Sequence, residues 1–224
     1  EYFLNVYAKL KENKVLLDKG WTLASEQFEL PVSKPWPVVD SSAFPPVKIE
    51  QNGNEILITG EGFAAAFDKV AGKFKSYRKG DTEFLSQAPV PDFWRAPIDN
   101  DFGNRLHKRS HIWRKAGDRM ILKDAKVAEE RNNRVKISFT YSIPDEAGNP
   151  VADYSSDYLV YGSGEILVSN HFKMTWKELP EIVRMGMNLV MPRKFDQITW
   201  LGRGPQESYV DRKTSAFVGL YSGK

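Results

Sequence analysis

Apolar and polar residues alternate along much of the chain, which is the pattern of half-buried β-strands. Residues 2–10 and 21–30 show it first, with Gly20 between them. Residues typical of tight turns separate the later segments. Asn52-Gly53-Asn54 predicts a hairpin because Asn and Gly tolerate positive φ. The other predicted strands are residues 47–50, 55–59, 63–67, 74–77, 123–128, 134–141, 155–160, 165–174, 183–190 and 197–200.

One segment favours a helix, residues 106–115, with Gly117 expected to end it at a C-cap position. Elsewhere the regular short strands with turn residues between them predict an all-β fold, a large antiparallel β-sandwich. Two strands alone cannot bury a face in water. Residues 2–30 are therefore expected to belong to a sandwich whose other strands lie upstream, or to pack on strands later in the chain.

Prolines mark a change of composition after the first pair of strands. Five of them lie between residues 31 and 46. Proline at this density cannot join a strand ladder and favours an extended linker. The sequence therefore predicts one domain ending at residue 31, a linker over residues 32–46, and a second domain over residues 47–224.

Composition narrows the classes of function. The apolar and charged fractions, 41% and 27%, are those of an ordinary globular protein. The net charge is only +3, and basic residues are interleaved with acidic ones, which argues against nucleic-acid binding. No apolar run approaches the roughly 20 residues of a membrane span. The chain has no cysteine, which excludes disulfides and fits cytoplasm and periplasm alike. Because Glu1 opens directly into a predicted strand and Lys224 follows an apolar run, we expect a fragment of a larger protein.

The most distinctive motif is Asp-Phe-Trp-Arg-Ala-Pro-Ile-Asp-Asn-Asp-Phe-Gly, over residues 92–103. A glycosidase needs two carboxyl groups roughly 5–10 Å apart, and Asp99 and Asp101 could be that close. An Asp-Asn-Asp sequence before a helix is also what capping and Asx-turns require. We favour the structural role for Arg95, Asp99, Asn100 and Asp101.

A second motif spans residues 200–212 and contains Gly-Arg-Gly-Pro-Gln-Glu. It lacks the third glycine of a dinucleotide loop, and Pro205 removes an amide donor, so a phosphate site is not expected. Glu207, Asp211 and Arg212 could bind sugar hydroxyls or pair with one another, and pairing is the default.

Histidines offer little further chemistry. His107 and His111 would share one helix face, a spacing that can hold zinc, but Lys108 stands where a zinc protease has Glu. We expect no metal site. His171 lies alone in a predicted strand, and no Ser-His-Asp set can be assembled.

Both motifs resemble blocks in the last domain of the large β-galactosidases of glycoside hydrolase family 2. The string Phe-Trp-Arg-Ala-Pro-Ile-Asp-Asn-Asp-Phe-Gly resembles the first block, and Gly-x-Gly-Pro-Gln-Glu-x-Tyr-x-Asp-Arg resembles the second. Residues 21–28, Trp-Thr-Leu-Ala-Ser-Glu-Gln-Phe, are similar to the end of the immunoglobulin-like domain before it. The three blocks occur in the same order and cover nearly the whole chain.

The resemblance implies a galactose-mutarotase-like sandwich from Val47 onward, truncated at its C-terminal end, after the end of an immunoglobulin-like domain. It implies a parent that hydrolyses terminal β-galactosides with retention, through two glutamates on a barrel domain upstream of Glu1. Mg²⁺ is implied for the parent, but no clustered ligands are visible in this sequence. A loop starting at a glycine is expected to line the galactoside pocket, and the matching residues here are Gly80, Asp81, Thr82 and Glu83.

Three functions remain as hypotheses. The first is a scaffold and pocket wall of a β-galactosidase, without catalytic residues and in contact with the upstream barrel. The second is a stand-alone carbohydrate-binding module that presents Trp94, Trp113, Trp176 and Trp200 in a row. The third is a mutarotase in which His171 or His107 faces Glu165 or Glu207. Unpaired strand edges would also favour a homo-oligomer.

Overall fold

A computed structural model describes residues 1–32, 34–35, 40–209 and 212–224. Antiparallel β-strands dominate it, as the alternating pattern predicted, so the all-β fold class is confirmed. The strands within the described residues are β1 (Phe3–Lys9), β2 (Thr22–Glu29), β3 (Lys48–Asn52), β4 (Glu55–Gly60), β5 (Phe63–Asp68), β6 (Lys73–Lys79), β7 (Thr82–Glu83), β8 (Gln87–Asp92), β9 (Ile121–Arg131), β10 (Arg134–Pro144), β11 (Pro150–Tyr161), β12 (Ile166–Met174), β13 (Gly186–Val190), β14 (Ile198–Gly204) and β15 (Phe217–Gly223).

Contacts divide the chain into two compact units. One contains Glu1–Val39 together with Lys194–Lys224, and the other contains Asp40–Arg193. The division near residue 40 falls within the predicted linker, in which Ser33 and residues 36–39 lie outside the described residues. The predicted domains over residues 1–31 and 47–224 stay a prediction.

The larger unit is built on two sheets. One has the strand order β3-β4-β5-β6-β7, and the other has the order β12-β11-β10-β9. Burial alternates over residues 134–141 of β10 and 153–161 of β11, because successive residues of a strand point to opposite faces. Rings from the two sheets meet in the core, where the Phe67 ring lies 5.3 Å from that of Tyr158 and 6.4 Å from that of Phe139. The two sheets therefore pack face to face as a sandwich.

The end of the predicted linker is fixed to this sandwich. The buried Asn133 side chain donates from Nδ2 to the Ser41 carbonyl at 2.7 Å, and the Val47 amide donates to the Asn132 carbonyl at 2.9 Å. At the end of β11, a Cβ on Gly162 would stand 1.7 Å from the Pro45 carbonyl oxygen. Only glycine fits there, so residues 41–47 are an integral edge of the larger unit.

The smaller unit consists of two hairpins, β1-β2 and β14-β15. The Gln27 side chain joins them like a short piece of peptide backbone. Its Nε2 donates to the Val218 carbonyl at 2.9 Å, and its Oε1 accepts from the Val218 amide at 2.7 Å. This pair satisfies both backbone groups of Val218, which would otherwise lie at an unpaired strand edge.

The predicted helix over residues 106–115 is wrong in extent. The structure has short α-helices α1 (Asp99–Gly103) and α2 (Leu106–Arg109), followed by a 3₁₀ turn at His111–Trp113. Ser110 interrupts the helical geometry, at φ −97° and ψ 9°, because its buried side chain is held beside Glu181. Gly117 is not a left-handed cap either. A Cβ there would meet the Pro91 carbonyl oxygen at 2.0 Å, so glycine permits a close approach to β8.

Strand β8 was not predicted from the sequence, because Pro89 and Pro91 interrupt the pattern of a strand. The strand forms because it pairs with β13 in a small two-stranded sheet, at a position where two missing amide donors are tolerated. No helix in the described part of the chain is both long enough and apolar enough to span a membrane.

Candidate functional site

The first motif is organised by a buried ion pair between Arg95 and Asp101. Asp101 lies in α1 and is only 5% exposed. The guanidinium donates two hydrogen bonds to the carboxylate, and the second joins Nη2 to Oδ1 at 3.1 Å. The Ile98 amide donates to Asp101 Oδ2 at 2.9 Å. These bonds close residues 95–101 into one fixed turn.

This pairing determines what Asp101 can do chemically. Hydrogen bonding to the Arg95 guanidinium and to the Ile98 amide, against the opposing effect of burial, holds the pKa of Asp101 below its ordinary value. A general acid for glycoside cleavage needs the opposite shift. Asp101 is thus an anion at neutral pH, and it organises the turn. Its sequence partners Asp99 and Asn100 are exposed.

The turn presents an exposed surface, which we call the Phe102 face and define as residues 98–100 and 102–105, and its apolar side chains are Ile98 and Phe102. The side chain of Phe102 is 55% exposed, and that of Ile98 is 48% exposed. Arg105 adopts a left-handed backbone at φ 61°, which is uncommon for a residue other than glycine and is often found at functional sites. Sequence reasoning missed Phe102 and Arg105, because neither carries a recognisable chemical signature.

The residues of the predicted pocket loop form a tight turn between β6 and β7. Gly80 is left-handed at φ 55° and, like Asp81, is exposed. Thr82 and Glu83 form β7 itself. The Glu83 carboxylate accepts from the Ser76 hydroxyl, from the Tyr77 amide at 3.0 Å and from the Leu85 amide at 2.9 Å. Glu83 therefore fastens the base of the turn.

The environment of Glu83 opposes a role as a proton donor. Burial alone would raise the pKa of Glu83, but the hydrogen bonds from Ser76, Leu85 and Tyr77 outweigh burial, and the pKa lies below its ordinary value. Beside this turn lies an open, mainly apolar cavity of about 480 Å³, to which Tyr77 and Phe84 contribute rings.

The second motif lies in the smaller unit. Arg203 donates from Nη1 to the carbonyls of Lys213 (2.8 Å) and Ala216 (2.9 Å), which fixes the turn before β15. Glu207 and Arg212 form an exposed ion pair of 2.7 Å, and Asp211 lies outside the described residues. An exposed Glu207 paired with Arg212 lacks the apolar pocket in which glycosidases hold their general acid.

The histidines are dispersed rather than clustered. His107 Nδ1 lies 3.4 Å from the Asp101 carbonyl oxygen, whereas His111 pairs with Glu146 at 3.2 Å. Within residues 1–32, 34–35, 40–209 and 212–224, no group of three or more His, Asp or Glu side chains is arranged to hold a metal ion. We therefore assign no residues to the Mg²⁺ that the resemblance implies.

The four tryptophans do not form one exposed row. Trp113 is 1% exposed and donates from Nε1 to the Pro180 carbonyl at 2.9 Å. Trp94 is half-buried, and Trp200 packs on Tyr221 within the smaller unit. Of the four, Trp176 is the exposed one, at 50%. The surface required of a stand-alone carbohydrate-binding module is therefore not formed by these residues.

Comparison with known proteins identifies the family. The family model described as β-galactosidase small chain matches residues 59–224. A β-galactosidase of Priestia megaterium is 36% identical over 223 residues, which is the whole of this chain and 21% of that protein. A β-galactosidase of Clostridium acetobutylicum is 33% identical over 78% of this chain and 19% of its own length. One from Lactobacillus delbrueckii subsp. bulgaricus is 29% identical over the whole chain and 21% of its own length.

The chain thus spans about a fifth of the length of the relatives that it matches. The matched region includes both motifs, with the buried Arg95–Asp101 pair and the Arg203 brace. The chain belongs to the β-galactosidase small-chain family.

Proposed function

We propose that this chain serves as the scaffold and pocket wall of a retaining β-galactosidase that hydrolyses terminal β-D-galactosides in carbohydrate metabolism. The observation that carries the proposal is how the candidate carboxylates of this chain are ionised and paired. Asp101 and Glu83 are held as anions by structural hydrogen bonds, and Glu207 is paired with Arg212. The two carboxyl groups that glycoside hydrolysis requires would then come from another part of the parent, which we propose to be an upstream barrel.

Two surfaces could form the pocket wall, the turn at Gly80 and the Phe102 face. The turn is fastened at its base by Glu83, and its tip offers Gly80 and Asp81. The Phe102 face combines exposed apolar side chains with the left-handed Arg105, on a turn fixed by a buried ion pair. A rigid base beneath an exposed aromatic ring suits the positioning of a sugar, because rings stack on the apolar faces of sugars. We favour the Phe102 face.

A chimera tests this function. The segment of the Priestia megaterium β-galactosidase that aligns with this chain would be replaced by the chain itself. We expect kcat/KM for a nitrophenyl β-galactoside to stay within about tenfold of the parent value, a difference of about 1.4 kcal/mol. Phe102→Ala in the chimera should lower kcat/KM by a further factor of about ten, whereas Asp81→Ala should leave it nearly unchanged.

The outcomes separate the two parts of the proposal. A folded chimera of the correct assembly state that lacks all turnover would contradict the scaffold function. A loss of activity on Asp81→Ala, with Phe102→Ala silent, would assign the wall to the turn at Gly80 instead.

A further inference from the structure

A partly open cavity lies between the two sheets of the larger unit, and its lining includes Pro91, which directly precedes the first motif. Its volume is about 350 Å³, within the usual range of small-molecule sites, about 300–1,000 Å³. Tyr141, Ser156 and Tyr158 line it from the sheet that contains β10 and β11, and Gly72 and Lys73 line it from the opposite sheet. Strand β8 closes one side. Gly117, Asp118 and Met120, from the segment before β9, complete the lining, so strands and one loop form the cavity together.

A wider basin of about 500 Å³ adjoins the cavity, and the two share Ala71, Lys73, Val90 and Asp118. The basin also contains Asp68 and Lys75, each of which has hydrogen-bond partners within the chain. Lys75 bonds to Glu55 at 2.8 Å, and Asp68 accepts from the amides of Val70 and Ala71 at 2.9 and 2.8 Å. The lining of the basin carries two lysines, Lys73 and Lys75, and two aspartates, Asp68 and Asp118, so the entrance favours neither anions nor cations.

The inner end of the cavity carries hydroxyl groups on an apolar wall. Ser156 is buried and donates to Asn170 Oδ1 at 2.7 Å, and Tyr141 donates to the Gly72 carbonyl. Burial raises the pKa of Tyr158 to about 12, with hydrogen bonding to Ser156 acting in the opposite direction, so its hydroxyl stays protonated. Met120 and Met187 supply the apolar side.

We propose that this cavity binds one neutral monosaccharide, with the ring against the two methionines and its hydroxyls on Tyr158, Ser156 and Lys73. Several features support an uncharged polyol as the ligand. The mouth carries balanced charge. The Tyr158 hydroxyl can donate, and the Ser156 and Tyr141 oxygens can accept although their own hydrogens are used. The thioethers pack on C–H groups without competing for hydrogen bonds. Nothing in this proposal depends on the proposed galactosidase function.

Saturation-transfer NMR on the 224-residue chain tests the site, with methyl β-D-galactopyranoside as the probe. We expect saturable transfer with a Kd of roughly 1 mM. Tyr158→Phe removes one hydroxyl and keeps the ring, and it should raise the Kd by about three- to tenfold. Lys73→Ala, at an exposed position where folding is not threatened, should raise it by a similar factor.

Tyr77→Phe is the matched control, because Tyr77 lies in the same unit but lines a different cavity and bonds to the Gly164 carbonyl. Its Kd should equal that of the wild type. Absence of saturable transfer to the folded wild-type chain at 50-fold the expected Kd would overturn the proposal. So would equal Kd values for the wild type, Tyr158→Phe and Lys73→Ala. Tighter binding of galacturonate than of the neutral probe would overturn the assignment to neutral ligands.

Discussion

Replacing Trp113 by Ala is expected to lower the free energy of unfolding by about 3–5 kcal/mol. The indole is almost completely buried and lies 5.7 Å from the Phe172 ring and 6.3 Å from the Phe93 ring. Its removal leaves a cavity that these rings cannot fill. It also leaves the Pro180 carbonyl without the donor that now bonds to it at 2.9 Å. Urea denaturation followed by circular dichroism measures the loss.

Trp176→Ala is the matched control, since the same side chain is half exposed there. We expect a change of less than about 1 kcal/mol. Equal losses at the two positions would contradict the assignment of Trp113 to the core. They would also reopen the interpretation of these tryptophans as an exposed sugar-binding row.

The second large loss of stability is expected when the Arg95–Asp101 pair is broken. Asp101→Ala should cost about 3 kcal/mol of stability at pH 7, because it leaves the Arg95 guanidinium buried without its carboxylate. The double variant Arg95→Ala/Asp101→Ala should lose less than the sum of the two single changes. Glu207→Ala, at an exposed pair of 2.7 Å, is the control and should cost less than about 1 kcal/mol. Additive single changes at Arg95 and Asp101 would show that the pair is not coupled.

The same pair predicts a pH dependence. The pKa of Asp101 is lowered on folding, so its stabilising contribution is complete above the unfolded value of about 4. The contribution disappears as the pH falls through the lower folded value. The difference in stability between wild type and Asp101→Asn should therefore be constant from about pH 5 to 7 and shrink below about pH 4. A difference that grows on acidification would contradict the lowered pKa.

Alternation was sufficient to predict the central strands, because their burial follows directly from the two faces of a sheet. The turn at Gly53 agrees with the structure, and β10 and β11 contain the strands predicted over residues 134–141 and 155–160 but extend beyond them. Local sequence patterns failed to predict the secondary structure where it depends on contacts with residues distant in the sequence. Ser110 ends α2 because of Glu181, and β8 forms despite two prolines because β13 pairs with it. Neither partner is near in sequence.

The candidate site likewise has some features that the sequence suggested and others that only the folded structure shows. The sequence allowed Asp99 and Asp101 to be either paired carboxylates or capping residues, and it could not show that Arg95 folds back on Asp101. Exposure of Phe102 and the left-handed backbone of Arg105 depend on that fold, so residue type alone gives no sign of them. The cavity that contains Tyr158 is assembled from two sheets and was equally invisible.

Hydrolysis of o-nitrophenyl β-D-galactoside by the purified 224-residue chain, beside the full-length Priestia megaterium β-galactosidase, tests the central claim most directly. The claim is that this region supports catalysis without performing it. It predicts no turnover by the chain above the buffer blank and rapid turnover by the full-length enzyme. Reproducible turnover by the chain that is lost on Asp99→Ala or Glu207→Ala would show that a catalytic carboxylate lies here, and the scaffold account would be wrong.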